Sequence, residues 1–287
     1  MNTKHFRARP GCPVDLAKWP TRVTPLCGSK DEYQRVLEKH VAELSAQQQL
    51  LYASDRHALL LIFQGMDSAG KDGMIRHVMY GVNPQGCEVF SFQPPNPEEL
   101  KHDFLWRAAR SLPERGRIGI FNRSYYEEVL IVRVHPELLE EETPAGPHAR
   151  GSKLWELRYR SIVDFERHLS ANGTHIVKFF LHLSRAEQRR RFLARIDEPG
   201  KNWKFSGADI DERAYWKQYM KAYGQCLGDT SSRHAPWHIV PADSKDDARV
   251  IVSRVIVERL RDLKMTYPKL DPARRRILRS IRKQLER

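Results

Sequence analysis

The sequence predicts an α/β fold: a parallel five-stranded sheet with helices on both faces. Three observations predict it. Short apolar runs alternate along the chain with longer stretches of helical periodicity, the pattern of successive βα units. The first run, Ala58-Leu59-Leu60-Leu61-Ile62-Phe63, is apolar at every position, as a strand buried on both faces must be. That run ends in a glycine-rich loop followed by a helix, a connection that parallel strands need and hairpins do not.

The elements follow in order. Residues 1–28 carry Pro10, Pro13, Pro20 and Pro25 and read as an extended arm, ordered only if it packs on the body. Ser29 and Glu32 have capping-box spacing, and Leu37, Val41, Leu44 and Leu51 continue one apolar helical face. After the first strand, a helix is expected over about 70–80 and a second strand over Cys87 to Phe92. Pro94, Pro95 and Pro97 end that strand, and a helix is expected to run to about Ser111. Arg117 to Phe121 is the third strand, with a helix from about Ser124. Glu140 to Gly151 is a loop, and Lys153 to Ser170 a helix. His175 to Leu183 is the fourth strand. Ser184 and Glu187 form a second capping box and open an arginine-rich helix. Asp209 to Leu227 is another helix, Trp237 to Val240 the fifth strand, and the last helices begin near Lys245. Trp216, Tyr219, Met220 and Tyr223 recur at helical spacing and read as a core stripe. This organisation gives an arm (1–28), one domain (29–268) with a lid at about 184–215, and a basic C-terminal helix (269–287).

With 287 residues and 40% apolar content the chain can bury a substantial core. Its formal charge of +13 points to a polyanionic partner such as nucleic acid, an anionic membrane or a phosphate polymer. Four cysteines, none at C-x-x-C spacing, argue against a zinc site and a disulfide framework. Met1 to Arg7 contains no apolar segment of a secretory signal, and no apolar run is long enough to span a membrane, so a cytoplasmic protein is expected.

Gly65-Met66-Asp67-Ser68-Ala69-Gly70-Lys71-Asp72 fits the pattern G-x-x-x-x-G-K between a buried strand and a helix. Glycines allow backbone N–H groups to turn inward around a phosphate, and the helix N-terminus adds positive potential. Ser68, Ala69, Gly70, Lys71, Asp72 and Gly73 are the candidate phosphate-binding residues, with Lys71 reaching the transferred group. The Ser or Thr that usually follows the lysine is Asp72 here, and Asp67 lies inside the loop. Two carboxylates beside a phosphate repel it unless a cation intervenes, so both are assigned to a divalent metal. The third strand ends in Asn122-Arg123-Ser124, where a polar residue meets the ligand crevice of a parallel sheet. Arg123 is a candidate phosphate clamp. Glu127 restores the negative charge that Asn122 lacks, and joins Asp67 and Asp72 as a candidate metal ligand. Between Arg185 and Lys204 seven basic residues face three acids, Glu187, Asp197 and Glu198. Such a helix suits a mobile lid whose arginines stabilise charge on a transferred phosphoryl group. Beyond it, the stretch from Arg249 to Arg287 has thirteen Lys or Arg against four acids.

Four stretches together resemble the family-2 polyphosphate kinases: Gly65 to Gly73, Gly81-Val82-Asn83-Pro84-Gln85-Gly86, Phe121 to Leu130, and Trp203-Lys204-Phe205-Ser206. The resemblance runs from about residue 30 to 268. It implies a phosphate-loop kinase fold with a helical lid, and reversible phosphoryl transfer between inorganic polyphosphate and a nucleotide with Mg²⁺ or Mn²⁺. It also implies a homodimer or homotetramer. Asp67, Lys71 and Arg123 match family positions at the phosphates and metal, and Lys204 falls in a matching stretch and is a further phosphate-binding candidate. Arg190 and Arg191 are the candidates for the lid arginine. Asn122 together with Glu127 resembles the subgroup that phosphorylates both AMP and ADP, so adenine nucleotides are the expected acceptors, with guanine nucleotides the second choice. Neither nucleic acid nor membrane is an expected partner. Two rivals share part of this pattern. An ATP-dependent kinase needs no long basic track, and a nucleic-acid-binding protein needs no phosphate loop.

Overall fold

The computed structural model describes residues 1–139, 150–200, 202 and 207–286. Its sheet has five parallel strands: β1 (Ala58–Gln64), β2 (Cys87–Ser91), β3 (Ile118–Asn122), β4 (Thr174–His182) and β5 (Trp237–Pro241). They lie in the order β2-β3-β1-β4-β5. β1 is central: Phe63 stands beside Asn122 of β3 and Phe179 of β4, so the carboxyl ends of the three strands share one edge.

The continuous apolar run of β1 divides between two cores. Leu60 and Ile62 face a layer that includes Phe121, Tyr126, Ile162 and Trp237. Leu59, Leu61 and Phe63 face the other, with Leu44, Val78, Ile251 and Val255. Alternate residues serve opposite faces because strand side chains have a period of two. The second layer is built by α1 (Lys30–Ser54), α2 (Lys71–Val78) and, later in the chain, α9 (Lys245–Asp262). The first contains α5 (Ser152–Ala171) and α8 (Trp216–Thr230). Tyr219 and Tyr223 of the aromatic stripe are buried there, with Trp216 and Met220 packed against the same cluster.

Ser29 Oγ accepts from Glu32 N (3.1 Å), the cap expected at the start of α1, while the Glu32 carboxylate accepts from Gly28 N (2.7 Å), one residue before the Ser29 N–H that a capping box uses. The arm packs on the body. Ala8 is fully buried, and its N–H donates to the Trp237 carbonyl at the sheet edge (2.9 Å). α10 (Pro272–Leu285) has no buried residue.

Three expected helices differ. The segment after Pro97 holds only a 3₁₀ turn and the four-residue α3 (Trp106–Ala109). Asn96 and Asp103 side chains bond backbone N–H groups two or three residues ahead, holding turns where a helix was expected. After Ser124 the chain forms a 3₁₀ turn (Tyr125–Val129) and the short α4 (Ile131–Val134). The helix expected over Asp209 to Leu227 is two: α7 (Ala208–Ala214) and α8, joined at Tyr215. The arginine-rich helix is α6 (Arg185–Asp197). Most of the Glu140–Gly151 loop, and Lys201 and Trp203 to Ser206, fall outside the described residues.

Candidate active site

The loop Gly65–Gly70 leaves the carboxyl end of β1 and enters α2 at Lys71. Its path needs glycine at two places. A Cβ at Gly65 would stand 3.0 Å from the Leu181 carbonyl oxygen, and Gly70 has φ +97°, strained for any L side chain. Ser68 also lies in the left-handed region (φ +61°). Helix α2 begins with Met74 N donating to Gly70 O (2.8 Å). The N–H groups of Gly70, Lys71, Asp72 and Gly73 therefore have no carbonyl one turn back, as at any helix start. Ala69 differs from the expectation: its N–H donates to Met66 O within the loop (3.0 Å) and is spent there.

Lys71 lies against this loop, with Nζ donating to Gly65 O (2.7 Å). Burial, and then the Arg123 charge, push its pKa down from the ordinary ammonium value; Asp67, Glu127 and Asp72 oppose that. Arg123 sits just past β3 with φ +64°, an unusual backbone for a residue with a Cβ. Its N–H is fixed to Phe63 O (3.0 Å) and its guanidinium pairs with Asp67 (3.2 Å). Burial alone would lower its pKa, but Glu127 and Asp67 more than offset this and raise it. Glu127 completes the charged group. Burial raises its pKa, against the Arg123 and Lys71 charges and a hydrogen bond from Gln64.

Asp67, Lys71, Arg123 and Glu127 are thus brought into one electrostatic group, and Asp72 joins from the first turn of α2. Asp72 Oδ1 accepts from Asn122 Nδ2 (2.7 Å). The three acids expected to bind metal are not gathered as one ligand set. Among the described residues no three His, Cys, Asp or Glu side chains are placed to hold a metal ion. Asp67 is drawn to Arg123 and Asp72 to Asn122, while Glu127 serves as a counter-charge to Arg123 and Lys71. The donor chemistry still fits a Mg²⁺ ion, which takes one or two carboxylates and completes its shell with water and substrate phosphate. Asn122 Oδ1 and Ser68 Oγ are buried oxygens without a hydrogen-bond partner among the described residues, and lie beside these carboxylates in the chain and fold.

The two candidate lid arginines both pair with Glu187. Arg190 is 68% exposed and both arms of its fork bind Glu187 (2.6 Å each). Arg191 is buried; it bonds Glu187 (2.8 Å) and the carbonyls of Ser68 (3.1 Å), Ala69 (2.9 Å) and Ala242. The reason is spacing: Glu187 precedes them by three and four residues, on the same helical face. Gly73 lies in the first turn of α2, where an added Cβ would meet nothing within 4 Å. Lys204 lies outside the described residues.

Several site residues were missed in the sequence. Gln188, one helical position past Glu187, donates to Asp67 O (3.0 Å). Gln64 donates to Ser124 Oγ (3.2 Å) and ties the end of β1 to the turn after β3. A polar Gln closing an apolar strand was the signal for it. A cleft of about 600 Å³ opens beside Arg123 and Glu127, walled by Phe92, Phe104, Leu154 and Arg158 among others. Arg158 lies over the Phe104 ring (4.7 Å) and pairs with Glu128 (2.8 Å). These residues come from segments remote in sequence, and no periodic pattern marked them.

Strand order, loop and edge charges together define a phosphate-loop kinase fold, and comparison with known proteins places it further. The polyphosphate kinase 2 family model matches residues 27–268. The chain belongs to that family. It is 62% identical to the ADP-polyphosphate phosphotransferase of Rhodopseudomonas palustris over 285 residues, 99% of each chain. It is 40% identical to the AMP/ADP-polyphosphate phosphotransferase of Meiothermus ruber, over 96% of this chain and 99% of that one. The crystal structure of polyphosphate kinase 2 from Arthrobacter aurescens TC1 superposes with a TM-score of 0.85 at 40% identity, covering 96% of this chain and 95% of that one.

Proposed function

We propose that this protein transfers phosphoryl groups reversibly between inorganic polyphosphate and adenine nucleotides, forming ATP from ADP and ADP from AMP. The observation that carries the reading is the convergence of Lys71 and Arg123 where the phosphate loop meets the end of β3, with Arg123 also lining the cleft. An acceptor phosphate oxygen attacks the terminal phosphorus of polyphosphate. The new P–O bond forms as the bridging P–O bond breaks, and a chain one unit shorter leaves. The acceptor oxygen is already ionised, so no proton must be removed and no general base is needed. The work left to the protein is alignment and charge stabilisation. Lys71, Arg123 and the helix start supply positive charge. The cleft walls, with arginine-covered aromatic rings, suit a nucleoside. Asp67, Asp72 and Asn122 Oδ1 would hold a Mg²⁺ or Mn²⁺ ion, which when bound neutralises phosphate charge.

The R. palustris relative is named for ADP and the M. ruber relative for both AMP and ADP. AMP use by this chain rests on Asn122, whose neutral side chain leaves the carboxylates of Asp72 and Glu127 to set the local charge. A homodimer or homotetramer acting in the cytoplasm completes the reading; no helix among the described residues is long and apolar enough to cross a membrane. The test supplies polyphosphate with ADP, and separately with AMP, and follows ATP and ADP by chromatography. ATP from ADP and ADP from AMP are expected. No ATP from ADP, with transfer from ATP to a small metabolite instead, would overturn the reading. No ADP from AMP would remove AMP alone.

A further inference from the structure

Every carbonyl of the loop from Gly65 to Gly70 is taken by a protein donor. Lys71 Nζ holds those of Gly65 (2.7 Å) and Met66 (3.4 Å). Gln188 Nε2 holds Asp67 O (3.0 Å), and Arg191 Nη1 holds both Ser68 O (3.1 Å) and Ala69 O (2.9 Å). Met74 N holds Gly70 O (2.8 Å). Three successive peptide planes are thus gripped by two side chains of α6. In a trans peptide the C=O and N–H point in opposite directions, so capturing a carbonyl from one side turns the following N–H to the other.

The grip is itself braced. Arg191 Nε donates to Glu187 (2.8 Å) and Nη2 to the Ala242 carbonyl, while Arg213 donates to Gln188 Oε1 (2.8 Å). Gln188 is 1% exposed and Arg191 8%. Burying a guanidinium and an amide is costly unless every polar atom finds a use, and three of the partners here are loop carbonyls. Ser68, in the middle of the gripped stretch, has a left-handed backbone that persists only where its surroundings over-determine it.

We propose that Gln188 and Arg191 are positioning residues, a clamp on α6 that holds the phosphate-loop carbonyls outward so that the Ser68 and Gly70 amides stand preorganised for an anion, the Ala69 amide being turned back to Met66 O (3.0 Å). The proposal rests on the phosphoryl-transfer reading of this site. It assigns Arg191 to the back of the loop, away from the substrate.

Gln188→Glu isolates the clamp. It keeps the side chain's size and its acceptor for Arg213, but an ionised carboxylate cannot donate to Asp67 O. Arg191→Lys is the second variant, keeping charge and losing the fork. Ser253→Ala is the control for simple loss of a buried bond, since Ser253 pairs with His40 between α1 and α9 (2.8 Å), remote in the chain from the loop. Tripolyphosphate binding to the full-length protein is measured by calorimetry at pH 8 without nucleotide, alongside thermal midpoints and ADP turnover. Both clamp variants are expected to bind tripolyphosphate about tenfold more weakly or worse and to lose kcat, because displacements near 1 Å have effects of that order. KM for ADP stays within about twofold in both. In Gln188→Glu, binding recovers on acidification, when the introduced carboxyl regains a donor. Where a midpoint falls by more than about 5 °C, binding is compared at equal distances below each midpoint. Wild-type affinity in both variants, or a loss that vanishes in that comparison or matches Ser253→Ala, overturns the clamp. If the wild type binds tripolyphosphate and Gln188→Glu does not, but no transfer occurs in either, the functional reading falls and the clamp stands.

Discussion

Replacing Lys71 by methionine removes one charge and keeps the reach of the side chain. Two consequences separate. For stability, the carbonyls of Gly65 and Met66 lose their ammonium donor. An unmade hydrogen bond of this kind costs about 1–3 kcal/mol. Against that, Lys71 is half-buried and its pKa is pushed down, so the folded protein disfavours its charge. Removing a disfavoured charge returns part of the loss, and the midpoint of unfolding should move by only a few degrees. For transfer there is no such offset. Loss of one preorganised charge at a developing phosphoryl transition state costs about 10²–10³-fold, or about 2.7–4 kcal/mol. The assay is ATP formation from ADP and polyphosphate at saturating substrate, with urea unfolding run on the same preparations. A folded Lys71→Met protein turning over within about tenfold of wild type would refute the assignment of Lys71 to the transferred group, since that loss falls short of the expected range.

Other perturbations probe the rest of the molecule. Asp67→Asn is expected to lower turnover by about 10²-fold with no recovery at high Mg²⁺, while EDTA silences the wild type; activity that survives EDTA would remove the metal. Lys178 and Glu166 form a fully buried ion pair (2.6 Å) that also holds the Tyr125 and Tyr126 hydroxyls. Lys178→Met alone should destabilise by about 3–5 kcal/mol, and Lys178→Met with Glu166→Gln by much less, because only the single variant strands a buried charge; urea midpoints decide. His238 is buried on β5 and its pKa falls to about 3, burial being the main cause. A lowered histidine pKa stabilises the fold above the unfolded value, near 6.5, and that stability is lost as pH falls towards 3. Between pH 7 and 5 the wild type should lose about 2 kcal/mol through this residue, a loss absent in His238→Phe when both are unfolded in urea at the two pH values.

What could be read from the sequence follows from how local each signal is. β1, its loop and the serine caps at Ser29 and Ser184 were legible, because period, glycine placement and cap spacing are properties of a few consecutive residues; the reciprocal half of each box was not formed, since Ser184 N–H donates to Asp243 (2.8 Å) and the Glu32 carboxylate takes Gly28 N–H. The helix expected to reach Ser111 was not, because Asn96 and Asp103 side chains compete for the backbone donors a helix would use. Lys178 stands in the otherwise apolar middle of β4, and only the fold reveals that Glu166 of α5 meets it. The lid arginines are the sharpest case. Glu187 stands three and four residues before Arg190 and Arg191, a helical ion-pair spacing plain in the chain. Reading Glu187 as part of a cap alone left both arginines free for a ligand. In the structure its carboxylate binds both, while its N–H takes the Ser184 cap (3.0 Å).

The site then depends on sheet order in a way no single motif expresses. β1 carries the loop, β3 delivers Asn122 and Arg123, and β4 leads into α6. In the order β2-β3-β1-β4-β5 the two flanking strands both touch β1. All run parallel, so their carboxyl ends open on one edge. Arg123 therefore reaches Asp67 from one side of the loop (3.2 Å), and Gln188 and Arg191 reach its carbonyls from the segment after β4. A swap of β3 and β4 about β1 would keep every local motif and exchange these two roles. Right-handed βα crossovers then fix which face of the sheet each connecting helix covers. The phosphate loop is thus held between a charged face built after β3 and a carbonyl clamp built after β4.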